Sequence, residues 1–267
     1  MLAVLVYLLD NPGQAAVQSI SELALRNGVD PSTLTRLGKR LGFSGFAPLQ
    51  ALFRGHVAAT QPFYSSRVEE LVASASKRAT GGMLEKLAEA ECQKVLAAAS
   101  KLTEKQIGLA VKQLVAAKHV YVLGLRATYA VAYFFGSFLG NLRDGVTVLG
   151  APGFPLAGEL ANIKKDDLLV AMTFRPYTRA VVAAVSVARA EHIPVLSLTD
   201  GGSPVKVEPS DGVTLEVEQP FYLDSSLAQF FVAEALLLAV ARRLGPQASS
   251  VIRRRETINK TLNIEIA

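Results

Sequence analysis

Two parts of this 267-residue chain carry residue types that could do chemistry. The first is "DPSTLTRLGKRLGF", residues 30–43, where the hydroxyls of Ser32, Thr33 and Thr35 are followed by the cations Arg36, Lys39 and Arg40. At helical spacing Ser32, Thr35, Arg36 and Lys39 share one stripe, with Thr33 and Arg40 flanking it. Leu34, Leu37 and Leu41 form the opposite, core-facing stripe. Short hydroxyls near a helix start can approach bases or phosphates closely. Arg36 can make the bidentate contact that reads guanine, and Lys39 and Arg40 can reach phosphates. The second part is a pair of loops, "GLRAT" at 124–128 and "TFRPYT" at 173–178. Arg126 and Arg175 offer guanidinium forks that suit an anion. Thr128, Thr173 and Thr178 add hydroxyls, and Phe174 and Tyr177 add apolar contact. The alternative use of both arginines is pairing with acidic neighbours or lining a subunit interface.

The elements that position these residues follow from caps and periodicity. "SISEL" gives a capping serine, Ser19 or Ser21, to a helix bearing Ile20, Leu23 and Ala24. Gly28 should end that helix, since glycine accepts the left-handed conformation of a C-terminal cap. Asp30 then caps the next helix, with Pro31 in its first turn, where a missing N–H does no harm. Helix, glycine-containing turn, helix is the arrangement of a helix-turn-helix, and its second helix carries the six polar residues.

From His119 onward the pattern changes. Short apolar runs at 119–125, 146–150, 167–174, 193–200 and 212–218 alternate with longer helical stretches. Continuous apolar strands separated by helices indicate a mainly parallel five-stranded sheet covered on both faces. Both arginine loops then lie at strand C-terminal ends, where such sheets bind ligands. The stretch between the two regimes, rich in small residues with Gly81-Gly82, reads as a hinged helical linker. The division expected is 1–55 for the helix-turn-helix, 56–102 for the linker and 103–267 for the α/β domain.

Composition is consistent with this. Half the residues are hydrophobic and 19% are charged, enough for sizeable cores, and the net charge of +5 suits a polyanionic partner without demanding one. The lone cysteine, Cys92, excludes an intramolecular disulfide and is expected as a small core residue. The apolar start "MLAVLVYLLD" lacks a positive leader and a cleavage site, so a cytoplasmic protein with no membrane partner is expected. Glu159, His192 and Glu234 are the residues of the second domain that could serve as a base. No Ser-His-Asp order, metal-ligand spacing or Walker loop accompanies them. No catalytic residue, metal or cofactor is therefore expected. Tyr133, Phe134, Phe135 and Phe138 cannot all face the sheet, so part of this group should pack on a second subunit, giving a homodimer or homotetramer. "IRRRETINK" (252–260) reads as a solvated tail.

The segment "SISELALRNGVDPSTLTRLGKRLGFSGFAPLQ" also resembles the N-terminal domain of the RpiR/MurR family of bacterial transcriptional regulators, through Leu41-Gly42-Phe43-Ser44-Gly45-Phe46 above all. Family members carry further residues before the first helix, so a short first helix is expected here. The resemblance implies a second, sugar isomerase (SIS) domain that senses phosphosugars, and "SLTDGGSPVKVEPSDGVTLEV" is similar to that domain's link between its fourth and fifth strands. Two loops depart from the family pattern. Where SIS domains place Gly-x-Gly-x-Ser and Ser-x-Ser-Gly-x-Thr, this chain has the two arginine loops, and Pro176 removes an N–H donor. The function expected is a regulator that binds a double-stranded DNA operator and is modulated by an anionic small-molecule effector, a phosphosugar or a carboxylate. The alternative is an SIS-fold sugar-phosphate isomerase or sugar-phosphate-binding enzyme.

Overall fold

The computed structural model describes residues 2–11, 15–16, 18–60, 68–69, 82–151, 155–207, 209, 212–217 and 225–264. Most of the expected hinge segment, and parts of the 201–221 stretch, lie outside these residues. The chain divides into two units, Met1–Lys77 and Arg78–Ala267.

The first unit is helical: α1 (Leu2–Asp10), α2 (Ile20–Arg26), α3 (Pro31–Arg40) and α4 (Phe46–Thr60). Ser19 caps α2 in a reciprocal box with Glu22, donating its N–H to the carboxylate at 2.7 Å. Those hydrogen bonds from Ser19 hold the Glu22 carboxyl below its ordinary pKa. Gly28 follows the end of α2 with φ 61°, and Val29 N–H returns to Ala24 O at 3.0 Å. Asp30 caps α3 by accepting the Ser32 N–H at 2.8 Å. At the other end Gly42 (φ 88°) turns the chain, and Phe43 N–H bonds Gly38 O at 3.0 Å.

Leu23, Leu34, Leu37, Phe46 and Leu49 build the core of this unit with Val4 and Leu8 of α1. Each such burial contributes about 1.5–3 kcal/mol. One expected core position is corrected. Leu41 is 43% exposed, because α3 stops at Arg40 and the turn at Gly42 carries the chain away. Gly38 is buried in its place, with room for no side chain: an added Cβ would stand 2.2 Å from Gly45 O. A polar tether was not expected either. Buried Gln50 of α4 donates its amide to Ala15 O and Gln18 O, and Arg54 donates to Ala16 O, fastening the approach to α2 onto α4.

The second unit opens with α5 (Met83–Lys101) and α6 (Glu104–Ala116), the latter capped by Thr103 and Gln106. β1 (Val120–Gly124), β2 (Val146–Val148), β3 (Leu168–Met172), β4 (Val195–Thr199) and β5 (Gly212–Glu216) form one sheet in the order β2-β1-β3-β4-β5. All its pairings are parallel. The helices α7 (Tyr129–Leu142), α8 (Leu156–Leu160), α9 (Arg179–Ala190), α10 (Leu227–Leu244) and α11 (Pro246–Thr261) complete the unit. Alternation along the strands divides the core. Val120, Val122, Leu168 and Val170 meet α6, α7 and α10 on one face, while Leu123, Leu169 and Ala171 meet α8 and α9 on the other. The result is the expected three-layer α/β/α sandwich.

Two local expectations are corrected here. Residues 252–260 belong to helix α11, which packs on α7, rather than to a tail. Cys92 is exposed, because α5 buries little beyond Glu91 and Ala98.

Candidate functional site

In the first unit the structure brings Ser32, Thr33 and Arg36 together. The Arg36 guanidinium lies back along α3, donating to Ser32 Oγ at 3.4 Å and Thr33 Oγ1 at 3.5 Å. Thr35 donates to Pro31 O at 3.5 Å, and Lys39 and Arg40 are exposed in the last turn. Together with the buried stripe of Leu34, Leu37 and Gly38, this gives α3 one apolar face and one polar, cationic face.

In the second unit the strand order reverses direction between β1 and β3, since β2 lies beside β1 on one side and β3 on the other. The crevice at the C-terminal ends of strands flanking such a reversal is the usual ligand position in open α/β sheets. Both arginine loops leave the sheet there. Gly124 ends β1 so close to the next turn that an added Cβ would lie 2.7 Å from Thr128 O. Arg126 follows, exposed, with φ 58° in a short 3-10 turn. A non-glycine residue in the left-handed region costs on the order of 1–3 kcal/mol, and such strain collects at functional sites.

The hydroxyls are used differently from the arginines. Thr128 Oγ1 donates to Leu125 O at 2.8 Å and Met172 O at 3.2 Å, tying the end of β1 to the end of β3. Thr173, 1% exposed, accepts the Thr178 N–H at 3.1 Å and closes the second loop. Thr178 stands at the start of α9 with its own hydroxyl making no capping bond. Tyr177 donates to Asp200 Oδ1 at 2.6 Å, while Asp200 also accepts the backbone N–H groups of Arg175 (3.1 Å) and Gly202 (3.1 Å). Asp200 is the residue the sequence reading missed. Its signal was the Thr199-Asp200 pair at the end of β4, the strand next to β3. Its carboxylate is occupied by those donors, and among the described residues neither Arg126 nor Arg175 has an ion-pair partner.

Burial, and then the hydrogen bond to Asp200, push the Tyr177 phenol up to about 12, against a smaller opposing effect of Arg175. An unfolded tyrosine loses its proton near pH 10. Between pH 10 and 12 the unfolded chain therefore binds fewer protons than the native one, and stability falls as pH rises. In a titration followed by phenolate absorbance, Tyr177→Phe is expected to remove the step at highest pH; its persistence would contradict this pairing.

Glu159, one of the three possible bases, accepts the Gly150 N–H at 2.9 Å and so braces the end of β2. His192 lies just beyond α9 with φ 55°, and Glu234 is exposed on α10. These carboxylates and imidazole do not converge on the arginine loops through any hydrogen bond among the described residues. No group of His, Cys, Asp or Glu among those residues is placed to hold a metal ion, and none of their helices is long and apolar enough to cross a membrane.

Residues 3–60 match the helix-turn-helix domain of the rpiR family, and residues 113–239 match the SIS domain. The chain belongs to the rpiR family. The HTH-type transcriptional regulator HexR of Escherichia coli is 25% identical over 252 residues, covering 92% of this chain and 84% of HexR. The sugar isomerase domain of an RpiR transcription factor from Sphaerobacter thermophilus superimposes with a TM-score of 0.61 at 26% identity, covering 66% of this chain and 99% of that one. Vibrio vulnificus NanR, solved in complex with ManNAc-6P, has the same fold along 97% of this chain and 92% of its own, with a TM-score of 0.60 at 18% identity. The two matches fall one in each unit.

Proposed function

We propose that this rpiR-family chain is a transcriptional regulator that reads double-stranded operator DNA with α3 and is modulated by an anionic metabolite bound at the loops of Arg126 and Arg175. The observation that carries the reading is the sorting of α3. A capped helix buries Leu34, Leu37 and Gly38 and presents Ser32, Thr33, Thr35, Arg36, Lys39 and Arg40 on its other side. That is the form of a recognition helix: Arg36 addresses base edges, and Lys39 and Arg40 address phosphates.

Two features support the effector half. Arg126 holds a strained conformation at the reversal point of the sheet, and Arg175 stands on the neighbouring loop with its backbone braced by Asp200. Thr178, at the start of α9, adds a hydroxyl, whereas Thr128, Thr173 and Tyr177 shape the loops from within. The phosphosugar in the complex of the structurally similar NanR supports that class of ligand, and the guanidinium chemistry serves a carboxylate equally. Exposed Tyr133 and Phe138 on α7 and Leu238 on α10 support assembly into a homodimer or homotetramer, whose paired α3 helices would read two half-sites. Such a protein works in the cytoplasm, where its operator is. The isomerase alternative requires a base, and Glu159, bonded to Gly150 N–H, is better suited to holding the β2 end.

The effector half is tested by thermal unfolding of the full chain with hexose phosphates, pentose phosphates, di- and tricarboxylates and the matching neutral sugars, at constant ionic strength. One anionic class at about 100 times its Kd should stabilise by about 2.7 kcal/mol, a rise in Tm on the order of 5 °C. The double variant Arg126→Ala, Arg175→Ala should lose that rise. Equal stabilisation by neutral sugars, or an undiminished rise in the double variant, would overturn it.

A further inference from the structure

The second unit buries a charge that neither the sheet nor the anion loops use. Glu91 of α5 is 7% exposed, although α5 is largely open: Leu84 and Leu87 in its first turns are 73% and 41% exposed. The Glu91 carboxylate receives the Lys94 ammonium at 2.6 Å, and the Ser225 hydroxyl donates to its other oxygen. Lys94 is itself only 10% exposed. Ser225 stands two residues before α10, so this one carboxylate clasps α5 to the start of α10. Further along, Ala98 of α5 enters the core shared with Leu236, Leu237 and Val240 of α10. The two helices are thus fixed to one another by a polar clasp at one end and apolar packing beyond it.

Connectivity gives the clasp its interest. Among the described residues, α5 is the first element of the second unit after the DNA-reading unit. Ser225 follows β5 in sequence, and the C-terminal end of β5 lies on the same side of the parallel sheet as the anion loops. A buried ion pair adds little net stability, because desolvation offsets its attraction, but it specifies register, and removing one partner strands a charge. We infer that Glu91, with Lys94 and Ser225, is a positioning cluster that sets the register of α5 on α10 and transmits the state of the anion loops to the DNA-reading unit. This inference rests on the proposed regulator function. Transmission requires that the ligand bind better to one arrangement of the clasp than to the other.

The test uses the full chain and reads two quantities: amide hydrogen exchange across residues 83–101 and anisotropy of operator DNA. Ser225→Ala removes one donor and keeps the ion pair; Glu91→Gln keeps the shape and removes the charge. Both should speed exchange in α5 about tenfold while β1 and β3 keep wild-type protection. Both should also shift operator affinity at least about fivefold. Lys118→Ala, which breaks an exposed pair with Asp166, should do neither. Unchanged α5 exchange in both variants refutes the clasp. Faster exchange with operator affinity within about twofold of wild type refutes transmission and leaves a purely structural contact. Wild-type protein that does not prefer operator DNA refutes the regulator function and transmission with it, while the exchange data still decide the clasp. Should Glu91→Gln fail to fold, Ser225→Ala carries both readouts alone.

Discussion

Gly38→Val is expected to unfold the first unit and leave the second folded. An ideal Cβ at position 38 meets Gly45 O at 2.2 Å and Gly45 C at 2.5 Å, and both are backbone atoms that cannot swing aside. Relief requires α3 to move off the turn into α4, which carries Leu34 and Leu37 with it. Overpacking of this kind costs about 1–3 kcal/mol where side chains can adjust, and more where only backbone can. A unit of this size has a stability of roughly 4–12 kcal/mol. The first of two calorimetric transitions should therefore fall on the order of 10–20 °C, or vanish. Gly55→Ala is the matched control. Nothing lies within 4 Å of its added Cβ, and in the interior of α4 it should raise the same transition through helix propensity. A Gly38→Val protein melting within a few degrees of wild type would show that the Gly38–Gly45 approach is not a constraint.

Arg36→Ala is expected to leave folding intact and to abolish sequence discrimination at one base pair per half-site. The side chain is exposed, and among the described residues its hydrogen bonds go to the Ser32 and Thr33 hydroxyls of its own helix. A bidentate arginine–guanine contact supplies about 1–3 kcal/mol of discrimination, so operator affinity should weaken roughly 5- to 150-fold. Affinity for random DNA should change much less. Lys39→Ala should behave oppositely, weakening all sequences alike and lowering the salt slope by about 1. Equal loss on operator and random DNA in Arg36→Ala would assign Arg36 to phosphate instead.

How far the sequence carried the fold depended on whether a signal was local. Ser19, Gly28, Asp30 and Pro31 act on their own turns, so the limits of α2 and the start of α3 were legible. The five strands were legible because continuous apolar runs of that length suit little but a doubly covered parallel sheet. What failed depended on tertiary neighbours. Leu41 occupies the right helical angle, but the helix ends before it, and only the approach of Gly45 reveals why residue 38 must be glycine. Cys92 lies on a helix too little covered to bury it. Residues 252–260 form a helix because Pro246 starts one and α7 receives it, and neither cause is visible in the charge run itself.

The site divides the same way. Arg126 and Arg175 were conspicuous because they stand where the family places small residues. Asp200 was not, since its grip on Tyr177 and on the Arg175 amide exists only because β4 lies beside β3. Thr128 and Thr173 were read as ligand hydroxyls, and in the structure both make hydrogen bonds within the loops themselves.

The measurement that tests the regulator function most directly is fluorescence anisotropy of the wild-type chain with labelled DNA from upstream of its own gene and neighbouring genes, against random DNA, across a salt series. The result expected is binding to one upstream segment at least about 10³-fold tighter than to random DNA, weakening steeply with salt. Equal, weak affinity for every segment at all salt concentrations would contradict it.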